Sequence, residues 1–146
     1  MACSPQAPAQ NASVEEGSQT GLQQVPLTIR SATGTHLFTV EIAANPEQQE
    51  RGLMFRRELA PDHGMIFPYS PAQDVAFWMK NTLIPLDMIF IRADGTIARI
   101  ANAKPLDETA VPSGEPVAAV LEIRGGRAEE LGIREGDAVS WPIKLQ

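Results

Sequence analysis

The chain has 146 residues, 43% of them hydrophobic and 21% charged, and a formal net charge of -6. That is room for one globular domain and a tail, and the acidic balance argues against nucleic acid, whose phosphate backbone calls for a basic footprint. No stretch approaches the ~20 consecutive apolar residues that span a bilayer as a helix. A single cysteine forbids an intrachain disulfide, and two histidines leave almost nothing for a multi-histidine metal site or a catalytic triad, so neither metal nor cofactor is expected.

Residues 1–24 are dominated by Pro, Gln, Ala, Ser and Asn. Such a segment buries too little apolar surface to offset its ordering entropy and reads as a flexible tether. Cys3 follows Ala2 and precedes Ser4, which resembles the processing site of bacterial lipoproteins, where a cysteine behind a small residue is lipidated once the signal peptide is removed. Lipid on Cys3 implies an extracytoplasmic domain held at the periplasmic face of a bacterial membrane, with no spanning helix. The competing reading is a cytoplasmic protein with an incidental early cysteine.

Periodicity begins near Val25. Val25, Leu27 and Ile29 alternate onto one face, as do Phe38, Val40 and Ile42, and Ser31-Ala32-Thr33-Gly34 between them supplies hairpin chemistry. Asn45-Pro46-Glu47-Gln48 reads as N-cap, first-turn proline and capping-box partner, predicting a short helix from Pro46 to about Met54. Strands are expected at 64–68 and 73–80. Those at 86–92 and 96–103 flank Asp94-Gly95, a tight-hairpin signal. A strand at 117–123 follows, then a short helix opened by Gly125-Gly126 and closed by Gly132, then a last strand at 138–143. The fold class is therefore mainly β (α+β). One compact barrel-like domain, residues 25–146, holds about seven or eight mostly antiparallel short strands and two short helices.

The most informative segment runs from Phe77 to Phe90, an apolar run holding Lys80, Asn81, Thr82 and Asp87. A charge taken out of water costs several kcal/mol unless it is paired or hydrogen-bonded. These residues are thus either a satisfied structural cluster or part of a site. If the strands around residues 81–85 form a hairpin, register decides whether Lys80 and Asp87 pair; otherwise Arg51 is the natural partner of Asp87, and Glu122 that of Lys80. Asn81 and Thr82 either satisfy the loop backbone or contact a ligand. Arg51, Arg56 and Arg57 crowd into seven residues. Arg51 either pairs with Glu47 or serves an anion, whereas Arg56 and Arg57 are expected to face solvent or pair with Glu58 and Asp62. Phe77, Trp78, Met79, Met88 and Phe90 read as core, with an apolar ligand wall as the sharper alternative. His63 reads as a surface turn residue, and neither Ser70 nor Ser140 has nucleophile-elbow glycines.

Arg51-Gly52-Leu53-Met54-Phe55-Arg56 leading to Gly64-Met65-Ile66-Phe67, the Phe77 to Phe90 run, and Leu121-Glu122-Ile123 with the Gly132 to Val139 stretch together resemble the family called domain of unknown function 192. The likeness covers Val25 to the C-terminus. It implies a small exported or membrane-attached β-rich protein and brings no activity. It also implies that Arg51, Lys80, Asn81, Thr82 and Asp87 belong to the family motif.

Three functions remain open. The first is a non-enzymatic, envelope-tethered module binding a small polar or anionic ligand or an envelope partner, through Arg51, Trp78, Lys80, Asn81, Thr82, Asp87 and Glu122. The second is a hydrolase or lyase on cell-envelope material, with Asp87 or Glu122 as general base. The third is a purely structural envelope-assembly protein.

Overall fold

The sheet is built from strands whose two faces are both apolar, and that property organises the molecule. A computed structural model describes residues 17–142. The lipidation expected at Cys3, most of the tether and the end of the last strand at Ile143 lie outside the described residues.

In chain order the elements are β1 (Gln24–Ser31), β2 (Gly34–Ile42), α1 (Pro46–Arg51), β3 (His63–Gln73), β4 (Ala76–Phe77), β5 (Leu86–Ile91), β6 (Ile97–Ala103), β7 (Val111–Pro112), β8 (Val117–Arg124), α2 (Arg127–Leu131) and β9 (Ala138–Ser140). Seven strands form one curled sheet in the order β6-β5-β8-β3-β2-β1-β9, and β4 pairs with β7 in a separate ribbon. All pairs are antiparallel except β2–β3, which α1 connects. The two ends of the large sheet approach through a Thr96–Ala138 bridge, with Ile97 N–H donating to Asp137 and Val139 N–H to Gly95. The result is a barrel closed along part of its seam.

Local chemistry explains the elements. Asn45 caps α1 by accepting from the Gln48 amide at 2.8 Å, while the Gln48 side chain returns to the Asn45 amide. In the β5–β6 turn, the Asp94 carboxylate accepts from the Thr96 amide and hydroxyl, and Gly95 supplies a φ of 90°. Gly132 ends α2 in the left-handed conformation.

Alternation then divides the apolar residues between two cores. Val25, Leu27 and Ile29 meet Phe38, Val40, Ile66, Ile89, Leu121 and Ile123 inside the barrel. Met65, Phe67, Leu86, Met88, Phe90 and Val120 project from the opposite face and are covered by Leu53, Leu59 and Met79. The sheet β3-β8-β5 is a wall between them.

Two expectations change. The stretch at 73–80 is not one long strand; Gln73 ends β3 opposite Val117, and Ala76–Phe77 forms a separate short strand that pairs with β7 rather than with the strand beginning at Leu86. The chain instead folds into turns, with Met79 N–H donating to Asp107, Thr82 N–H to Met79 and Leu106 N–H to Thr82. Arg56 does not face solvent. Its two terminal nitrogens fork onto the Glu41 carboxylate at 2.8 Å each, and one also reaches the Gln19 carbonyl. Gln19 in turn donates to the Gln48 and Gly52 carbonyls, and Leu22 packs on the outer core, so residues 19–22 lie against the domain.

Candidate functional site

The register of β8 decides what the two acids do. Asp87 on β5 lies opposite Ile123, and Met88 lies opposite Glu122. Neighbouring positions point to opposite faces, so Asp87 enters the barrel interior and Glu122 the outer core. The acids stand back to back.

Asp87 is fully buried and fully satisfied. One carboxylate oxygen accepts from Asn102 Nδ2 at 2.8 Å and the Gly126 amide at 3.0 Å, and the other accepts from the Ala128 amide at 2.9 Å. It therefore fixes the start of α2, whose Ala128 plugs the barrel. This corrects the expected pairing of Asp87 with Lys80 or Arg51, because the hairpin that would have brought Lys80 to it does not form and Arg51 stands with Glu122 on the other side of the sheet. It also removes Asp87 from any cleft and from the role of general base.

Glu122 is the opposite case. It is 4% exposed, flanked across the ladders by Met65 and Met88, and takes no hydrogen bond or ion pair among the described residues. Burial alone pushes its carboxyl up to about 8. It lines a cleft of about 230 Å³ between the sheet, the end of α1 and β4. The other walls include Leu53, Phe67, Tyr69, Phe77, Trp78 and Thr82. Tyr69 is raised to about 12 by burial and by the nearby Glu122 charge. Phe77 stands edge-on to Phe67, with ring centroids 4.9 Å apart.

Four of the seven expected residues thus meet: Arg51, Trp78, Thr82 and Glu122 line this cleft. A wider outer groove of about 950 Å³ shares Arg51 and Trp78 and adds Lys80 and Asn81. Lys80 does not pair with Glu122; its ammonium lies 5.2 Å from the centre of the Trp78 ring. Arg51 does not pair with Glu47 but donates to the Gly17 carbonyl in the outer groove. The Thr82 hydroxyl donates to the Lys80 carbonyl at 3.1 Å.

The rim is held by two residues in an unfavoured backbone state. Phe55 and Asn81 have φ values of 67° and 57°, and the Phe55 N–H donates to the Asn81 carbonyl at 2.9 Å. Each such residue costs on the order of 1–3 kcal/mol and persists where its surroundings over-determine it. Tyr69, absent from the expected set, is the residue that sequence reasoning missed. Its being the only tyrosine in the chain was the available signal.

No group of three or more His, Cys, Asp or Glu side chains suited to a metal occurs among the described residues. The cleft can hold a small molecule against aromatic walls and offer it one buried acid, Glu122, with Glu50 also on its lining.

Comparison with known proteins places the chain in company without a named activity. The family model DUF192, described as an uncharacterised ACR, matches residues 28–141. A Sinorhizobium meliloti 1021 protein, provisionally described as a transcription regulator, is similar at 46% identity over 84% of this chain and 97% of its own, with a TM-score of 0.81. A protein of unknown function from Novosphingobium aromaticivorans DSM 12444 is similar at 45% identity over 94% of this chain and 99% of its own, with a TM-score of 0.82. No curated protein matches.

Proposed function

The chain belongs to the domain of unknown function 192 family, and from that membership and the cleft geometry we propose that it is a non-enzymatic binding module, held at a bacterial envelope, that takes a small polar ligand over Glu122. One observation carries the binding reading: a buried carboxyl, without a partner among the described residues, at the base of an aromatic cleft. A protein interior keeps such a group only at a cost, and a ligand that hydrogen-bonds to it recovers that cost. Lys80 and Arg51, set in the outer groove, suit an anionic part of the same ligand.

The test is a thermal-denaturation panel of small envelope-derived amines, sugars and acids. A ligand present at a hundred times its Kd adds about 2.7 kcal/mol to stability, and Glu122→Gln is expected to abolish the shift. A panel without any shift overturns binding. The envelope reading is supported by the sequence, through Ala2-Cys3-Ser4 and the polar run after it. Labelled palmitate should enter the protein expressed from its own gene in a bacterium and fail to enter its Cys3→Ser variant; equal labelling of both overturns it. The regulator description attached to the Sinorhizobium protein has little to support it in a chain of net charge -6.

One observation favours a hydrolase or lyase instead. A carboxyl raised to about 8 is protonated at neutral pH, as a general acid must be. Turnover of an envelope substrate that is lost in Glu122→Gln would establish it.

A further inference from the structure

The cleft over Glu122 draws in the chain's only tyrosine, one of its two tryptophans and two of its five phenylalanines. Phe67 belongs to the outer core and Tyr69 and Phe77 pack against it, so rings that complete the packing also wall the cleft. Phe67, Tyr69, Phe77 and Trp78 line a cleft, bordered also by Arg51, whose acid takes no ion pair among the described residues. Arg51 is turned outward to Gly17, and Lys80 lies in the outer groove against Trp78. Aromatic faces attract cations, most strongly where water is excluded, and a buried carboxylate gains most from a desolvated counter-charge.

We propose that this cleft is a cation cage, in which Phe67, Tyr69, Phe77 and Trp78 enclose a small organic ammonium group over the carboxylate of Glu122. The inference rests on the binding reading above and names the ligand class for the same site. An anionic or neutral group would meet the aromatic faces without this attraction. The cleft of about 230 Å³ has room for a nitrogen bearing several small carbon substituents. Lys80 over Trp78 shows the same ring accepting a cation on the groove side.

Binding then carries a proton balance. The free cleft holds Glu122 as the neutral acid at pH 7, and the ammonium ion replaces that proton, which leaves to solvent. The remaining titratable groups lining the cleft are Glu50, Arg51 and Tyr69, and Glu122→Gln assigns the proton among them.

The experiment is titration calorimetry of the folded protein with tetramethylammonium, its neutral analogue tert-butanol, and acetate, each in two buffers of different ionisation enthalpy. Tetramethylammonium is expected to bind and release about one proton per ion at pH 7. Glu122→Gln and Trp78→Ala should each weaken binding at least tenfold, Trp78 being 46% exposed so that its loss spares folding. Circular dichroism of both variants checks that they are folded. Phosphatidylcholine vesicles in a co-sedimentation arm distinguish a lipid headgroup, if the protein pellets, from a soluble amine, if it does not; both support the cage when tetramethylammonium binds. Binding of tert-butanol or acetate without proton release, lost in Glu122→Gln, overturns the ammonium class and leaves the cleft a binding site. Binding of none of the three, nor of the wider panel, overturns both. Tetramethylammonium binding that survives in folded Glu122→Gln overturns the cage.

Discussion

Glu122 gives the molecule a pH signature of its own. Its carboxyl moves from 4.5 in the unfolded chain to about 8 in the folded protein, so between these values folding retains a proton that the unfolded chain has released. The stability from this group is complete below 4.5 and is lost as pH rises toward 8, by ~1.4 kcal/mol per pH unit at most. Glu122→Gln cannot titrate. Its stability relative to the native protein should therefore grow by a few kcal/mol between about pH 5 and about pH 8 in urea unfolding; parallel curves would show that the carboxyl is not buried in solution. Asp94 and Glu115 are held below the usual carboxylate range by the Thr96 amide and by Arg92 respectively. Their contributions have the opposite sign, fall off only at the acid end and are common to both proteins. The sequence pointed to Glu122 as a partner for Lys80, as a general base or as one of seven ligand-binding candidates. That it stands alone depends on a β8 register that no local pattern reveals.

At the scale of elements, the acid of β5 works through α2. Asp87→Ala would strand the buried Ala128 amide, release that of Gly126 and free the helix from the barrel mouth. A loss of roughly 2–5 kcal/mol in chemical denaturation is expected, with cleft affinity unchanged in the variant that remains folded. Loss of affinity at full stability would return Asp87 to the site. Gly64 makes the complementary prediction, because a Cβ there would lie 2.5 Å from the Glu122 carbonyl oxygen. Gly64→Ala should cost roughly 1–3 kcal/mol and weaken any cleft ligand, since β8 must shift where Glu122 sits. The helix caps, the Asp94-Gly95 hairpin and the alternating strands were legible in the sequence because their causes are local. The pairing of β4 with β7 and the fork of Arg56 on Glu41 were not, because each joins residues far apart in the chain.

Across the whole molecule, the N-terminal approach to β1 contributes to the fold it precedes. Gln19 caps carbonyls at the end of α1 and accepts from Arg56, and Leu22 covers the outer core. Deleting residues 1–23 should therefore cost roughly 1–3 kcal/mol more than deleting residues 1–16; equal denaturation midpoints for the two truncations would show that these contacts are idle. Barrel class and two helices could be read from strand count and turn chemistry. The second core could not, because an apolar residue on a strand does not announce which face it covers. The back-to-back placement of Asp87 and Glu122 bears on how the chain finds its alignment. Were β8 to slide by one residue against its neighbours, Glu122 would swing among isoleucines and leucines inside the barrel, while the same slide of β5 would strip Asp87 of its three donors. The second misalignment strands a satisfied acid in hydrocarbon at several kcal/mol, so Asp87 acts as a key to the pairing of the central strands, while the first takes Glu122 away from its cleft.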